Sequence, residues 1–176
     1  CEACSIGQYT LGNRSTVCQV CGAGRFGVGK GCQLCPQGWK RSSSDVNITR
    51  CEQCGKGSNQ PEQGMAACLN CIPGRYQSEK KRLSCIKCAV GRASSIVARK
   101  TDCDVCAKGS HQPNSGMTAC LNCIPGKYQP QEKQIICLDC QVNTFSSTSK
   151  QDACEVCSVG QYTLGNRSTM CQVCGA

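Results

Sequence analysis

Long apolar runs are missing from this sequence, and with them the usual source of a folded interior. No stretch of the 176 residues approaches the roughly twenty apolar residues that a membrane-spanning helix needs, so no membrane span is expected in this segment. Aromatic residues make up only 4%, histidine occurs once, and the hydrophobic fraction of 39% is inflated by 22 cysteines. A sizeable common core is therefore excluded, and small local cores need covalent supplements. No apolar period of 3.6 residues persists for the length of a helix. Paired carboxylates, a nucleophile beside a base, and glycine-rich phosphate loops are absent as constellations. The reading is of a protein that is not an enzyme and needs no cofactor. No secretion signal, initiator methionine or lipid anchor is recognisable, and the 176 residues are expected to be a window on a longer array.

What is present is sulfur at even intervals. All 22 cysteines stand in eleven C-x2-C doublets, beginning at Cys1, Cys18, Cys32, Cys51, Cys68, Cys85, Cys103, Cys120, Cys137, Cys154 and Cys171. The steps between them are 17, 14, 19, 17, 17, 18, 17, 17, 17 and 17 residues, so the basic repeat is about 17 residues. Three repeats form a second level: CEQCGKGSNQPEQGMAACLNCIPGRYQ, from Cys51, returns as CDVCAKGSHQPNSGMTACLNCIPGKYQ after 52 residues. At a third level, CEACSIGQYTLGNRSTVCQVC at residue 1 returns almost verbatim at residue 154. The expected domains are three-repeat groups at 1–50, 51–102 and 103–153, with 154–176 opening the next 153-residue period.

Inside each repeat the positions have distinct jobs. Glycine stands three residues after most doublets, at positions 7, 24, 38, 57, 74, 91, 109, 126 and 160. The exception is Asn143, the non-glycine residue that best tolerates a left-handed backbone, so the site is expected to need positive φ. Pro73-Gly74 and Pro125-Gly126 fit the middle of a type II turn. Two residues past this position come Tyr9, Phe26, Tyr76, Tyr128, Phe145 and Tyr162, with Trp39 one place early. Aromatics in register with disulfides are expected to stack on them; the alternative is a row of rings for sugar or base stacking. Loops such as TLGNRST and RSSSDVNIT are turn-formers throughout, so short strands, ribbon hairpins and coil are expected.

Cysteine at this density marks an oxidising compartment, hence a secreted or cell-surface, extracellular protein. Connectivity does not follow from sequence alone. In one scheme the second cysteine of each doublet bonds the first of the next: Cys4–Cys18, Cys21–Cys32, Cys35–Cys51, Cys54–Cys68, Cys71–Cys85, Cys88–Cys103, Cys106–Cys120, Cys123–Cys137, Cys140–Cys154 and Cys157–Cys171. Cys1 and Cys174 would then pair with neighbouring repeats. In the other, crossed scheme, Cys1 bonds Cys18 and Cys4 bonds Cys21. Nine doublets per 153 residues is an odd number, so crossed blocks would give the two near-identical copies opposite parts. Sequential closure treats every doublet alike and is the expected scheme. One bridge closing such a loop stabilises by about 3 kcal/mol, far less than the conformational entropy of the residues it encloses. Repeats must therefore stack on one another, as in solenoids.

C-x2-C also serves zinc and dithiol chemistry. The spacing from Cys54 to Cys71 would suit a four-thiolate site. Eleven doublets, however, do not divide into four-cysteine sites, and no recognition helix or basic stripe beyond Lys80-Lys81-Arg82 points to nucleic acid. Redox catalysis would need one activated pair on a βαβ scaffold. His111 stands where the sister copy has Asn59 and is expected to be a tolerated surface residue. The formal charge of +9 keeps a core-poor chain soluble and would also favour acidic polysaccharide. Sequons at Asn13, Asn47 and Asn166 mark expected N-glycan sites, two of them in equivalent places. Ser42-Ser43-Ser44 and the serines of 146–149 read as flexible loops open to O-linked sugar.

IPGRYQ, IPGKYQ and VGQYT with their flanking doublets resemble the cysteine-rich repeats of the tumour necrosis factor receptor and ephrin-receptor-like class. The resemblance covers the whole chain and implies elongated ectodomains with little regular secondary structure. Similar repeats occur in surface proteins of protists and algae. Unlike the divergent modules of receptors, this chain repeats itself almost verbatim.

The expectation is a small disulfide-rich, β-poor repeat array: a solenoid-like rod of ~17-residue repeats with essentially no helix. Its expected role is structural, in an extracellular glycoprotein filament, appendage or surface stalk, with further copies of itself or filament subunits as partners. The alternative is a receptor or adhesion ectodomain binding a protein or polyanion. Peptide mapping by mass spectrometry without reduction discriminates the pairings: sequential closure yields linked peptides such as Cys54–Cys68, whereas crossed blocks link Cys1 to Cys18.

Overall fold

Each repeat turns on its glycine, runs outward through the aromatic position as a short strand, loops, and returns through the next doublet as the partner strand. The structure is a computed structural model describing residues 4–10, 17–28, 31–45 and 47–175. Among these residues no helix occurs. The strands are two residues long, except Arg25–Val28 and Gly31–Leu34 with four. They pair as two-stranded ribbons. Ser58–Asn59 lies antiparallel to Leu69–Asn70, Lys127–Tyr128 to Leu138–Asp139, and Gln161–Tyr162 to Gln172–Val173. The turn is hydrogen-bonded across three residues, as from Lys127 N–H to Ile124 O at 3.0 Å, with Gly126 at φ 82° as a type II turn requires. Asn143 takes glycine's place with φ 63°.

The chain packs as two compact units that alternate along the sequence. The first comprises Cys1–Ile72, Tyr76–Ile86 and Val97–Asp102; the second Pro73–Arg75, Lys87–Ile96 and Cys103–Ala176. Within each, the same backbone bonds join neighbouring repeats. In the first, Gly57 N–H donates to Gln77 O (2.7 Å), Gln60 N–H to Arg82 O (3.0 Å) and Lys81 N–H to Cys54 O (2.9 Å). In the second, Gly109 N–H donates to Gln129 O (2.8 Å), Gln112 N–H to Gln134 O (2.9 Å) and Lys133 N–H to Cys106 O (2.8 Å). These bonds satisfy donors that two-residue strands leave over.

Glycine at the turn has a second cause besides φ. A carbonyl from two repeats downstream lies against its Cα: Ala98 O on Gly57 in the first unit, Lys133 O on Gly91, Lys150 O on Gly109 and Arg167 O on Gly126 in the second. A Cβ at these glycines would stand 2.1–2.2 Å from that oxygen. The oxygen belongs to a loop apex that is itself left-handed: Gly64, Lys81, Ala98, Gly116, Lys133, Lys150 and Arg167 all have positive φ. Those apices, Gly64 and Gly116 apart, carried no glycine signal in the sequence.

Gly109→Ala is expected to destabilise by about 2–4 kcal/mol, combining left-handed strain with overpacking. Gly165→Ala, whose added methyl meets nothing within 4 Å and whose φ is not positive, should be near neutral. Thermal unfolding of the oxidised proteins, with amide exchange at Lys150, measures both.

Candidate functional site

Ten disulfides run the length of the described chain, and they link the second cysteine of each doublet to the first of the next: Cys4–Cys18, Cys21–Cys32, Cys35–Cys51, Cys54–Cys68, Cys71–Cys85, Cys88–Cys103, Cys106–Cys120, Cys123–Cys137, Cys140–Cys154 and Cys157–Cys171. Their Cα–Cα distances of 5.5–5.7 Å are those of an ordinary bridge. Cys1 lies outside the described residues, and Cys174 carries an exposed free thiol. From Cys21 to Cys157 the second cysteine of each doublet is tied twice. Its N–H donates to the preceding turn residue, as Cys123 to Gly109 O at 2.8 Å, while its sulfur closes the following loop.

Sulfur is nearly the whole apolar interior. Among the described residues the buried hydrophobic side chains are half-cystines and Ala93, while Leu69, Ile72, Leu121, Ile124, Val156, Val159 and Val173 are exposed. Beside the sulfur, three residues past each turn position from Gly38 onward, the side chain is polar and buried: Arg41, Gln60, Gln77, Ser94, Gln112, Gln129, Ser146 and Thr163. Sequence reasoning missed this, although Gln77 and Gln129 end the very motifs IPGRYQ and IPGKYQ.

Each of these glutamines braces its own loop. Gln112, fully buried, donates from Nε2 to Ala119 O at 2.8 Å, and its Oε1 accepts Asn114 N–H at 3.1 Å. Gln60, Gln77 and Gln129 do the same to Ala67, Ser84 and Ile136. Arg41 ties two repeats together: Nη1 donates to the Cys21, Gly22 and Arg25 carbonyls of the preceding repeat, and Nε to Asn47 O in its own long loop. No buried side-chain nitrogen or oxygen among the described residues lacks a partner, which is the condition for a polar interior to be tolerated.

The other predicted residues are placed as follows. Tyr9, Phe26, Tyr76, Tyr128 and Phe145 are half-buried and Tyr162 is exposed, on strands facing the doublets: Tyr9 opposite Gln19, Phe145 opposite Glu155, Tyr162 opposite Gln172. Asn47 is exposed, and its Oδ1 accepts both the N–H (3.0 Å) and the hydroxyl (2.8 Å) of Thr49. Asn166 is exposed at a loop apex, and Asn13 lies outside the described residues. His111 departs from its expected place: it is half-buried, with Nδ1 3.1 Å from Cys137 Sγ, just as Asn59 Oδ1 sits 3.2 Å from Cys85 Sγ. His111, Cys123 and Cys137 lie within metal-cluster distance, but the two cysteines are bonded to each other and offer no thiolate.

Among the described residues one titration is shifted. The hydrogen bond from Lys40 to Glu52, 2.8 Å long, raises the Lys40 pKa above the lysine range. The small stabilisation it brings is present below that range and lost as pH rises through the raised value.

No protein-family model matches the chain, and no curated protein matches it. The architecture is that of a cysteine-rich tandem repeat protein.

Gln112→Ala should cost about 2–3 kcal/mol by orphaning Ala119 O and Asn114 N–H. Amide exchange should accelerate at Asn114 and leave the sister loop at Gln60 unchanged.

Proposed function

We propose that the chain is a non-enzymatic structural segment of an extracellular glycoprotein, a part of a filament, appendage or surface stalk. The observation that carries this reading is the uniform ladder: one disulfide, one turn and one set of inter-repeat hydrogen bonds recur along the described residues. Ten disulfides fit an oxidising, extracellular setting. Exposed aliphatics recur with the repeats, Leu69 and Ile72 returning as Leu121 and Ile124, and Val20 as Val173. Such positions offer self-contacts at fixed intervals to other copies or to filament subunits. In this reading N-glycans occupy Asn13, Asn47 and Asn166, and the aromatic rings cover neighbouring disulfides. No metal or cofactor is required.

The second reading is a receptor or adhesion ectodomain of the tumour necrosis factor receptor and ephrin-receptor-like kind. The same exposed aliphatics favour it, as a face for a protein ligand.

Negative-stain imaging of native material tests the proposal. Fibres of constant width are expected, whereas discrete particles holding a soluble protein ligand would establish the receptor reading. In the same material, enzymatic release of N-glycans should lower the mass of the peptide carrying Asn47.

A further inference from the structure

Left-handed backbone outside glycine falls mostly to Asn and Asp, yet here it falls to cations. Of the six non-glycine residues with positive φ among the described residues, four are Lys81, Lys133, Lys150 and Arg167. Lysine and arginine gain nothing there from local hydrogen bonding, and the conformation costs on the order of 1–2 kcal/mol at each. Where strain of this kind is kept, a role for the side chain is the first place to look.

In the second compact unit, three of these apices fall in consecutive repeats, and each rests on a turn that carries another cation. Lys133 lies on Gly91, which Arg92 follows; Lys150 on Gly109, which Lys108 precedes; Arg167 on Gly126, which Lys127 follows. The stem of Lys133 crosses that turn, since a methyl on Gly91 would stand 3.1 Å from its Cγ. Lys108, Lys133 and Lys150 are exposed, with no ion-pair partner among the described residues. Asp139 answers only the third pair, 2.5 Å from Lys127 Nζ and 3.6 Å from Arg167 Nε. Arg92 is held by Cys103 O at 2.6 Å. Lys108, Lys133 and Lys150 thus bring unanswered like charges to neighbouring turns and apices, which is unfavourable unless an anion offsets it.

We infer that this row of cation pairs, one pair per repeat, binds a linear sulfated or carboxylated polysaccharide. A linear partner with anionic groups at intervals matches cations presented at intervals. A polysaccharide is favoured over nucleic acid because no aromatic ring stands among the apex and turn residues to stack a base, as single-strand binders require. The inference rests on the extracellular part of the proposed function and not on fibre formation, so imaging and binding fail separately.

The test uses the oxidised 176-residue chain and heparin as probe, by calorimetry across a salt series. The variant Lys133→Gly/Lys150→Gly/Arg167→Gly removes three charges and leaves a residue at ease with positive φ. The control Arg50→Gln/Lys80→Gln/Lys87→Gln removes three exposed charges elsewhere. The apex variant should weaken binding at least about tenfold near 0.15 M salt and flatten the salt slope by about two to three, while the control loses less than about threefold. On the unaltered protein, heparin should shield Lys133 and Lys150 from amine acylation and leave Lys80 and Lys87 reactive. Equal losses in the two variants, equal shielding of all four lysines, no heparin binding, or tighter binding of single-stranded DNA of matched charge would each overturn the inference.

Discussion

Close approach of one backbone to another, at the turn glycines, is the constraint on which the assembly of repeats depends. A disulfide closes its own loop and does nothing to place the next. Placement comes from a carbonyl lying on a bare Cα two repeats away, with N–H donors of adjacent repeats aligned on either side. A side chain at Gly57, Gly91, Gly109 or Gly126 would hold those repeats apart. Because the joining groups belong to the backbone, the remaining positions are free to vary, and they do: the apex is glycine at 64, lysine at 81, alanine at 98 and arginine at 167.

Sulfur and buried amide replace the greasy interior found elsewhere. Leucine, isoleucine and valine stand largely outside, so hydrophobic burial is a minor term. Polar groups can line the middle because the larger ones are used twice or more, Gln112 by two backbone groups and Arg41 by four carbonyls. A half-satisfied interior of this kind would be worse than none. The arrangement is therefore demanding of geometry and undemanding of bulk.

Much of this was legible beforehand, for reasons that differ by position. The turns announced themselves through glycine and through Asn143, since few residues accept positive φ, and the absence of helix followed from the absence of apolar period. The buried polar position was visible in register as Gln60, Gln77, Gln112 and Gln129, but polar residues carry no presumption of burial, and Ser94, Arg41 and Thr163 broke the pattern. The left-handed apices were hidden because lysine and arginine give no backbone signal. His111 misled because its contact with the disulfide of the next repeat is a tertiary fact. Charge shows the same division: the total of +9 was plain, while the pairing of apex and turn cations required the fold.

The covalent route through the molecule also differs from the route of the chain. At each rung the sulfur–sulfur bond joins residues 11–16 apart in sequence, so a pull on the two ends is carried across the bridge and along the short doublet, leaving the loop slack. Stretching such a chain can break its hydrogen bonds but cannot draw out the residues that each bridge encloses. Those residues add to the length only after a reductant severs the rung.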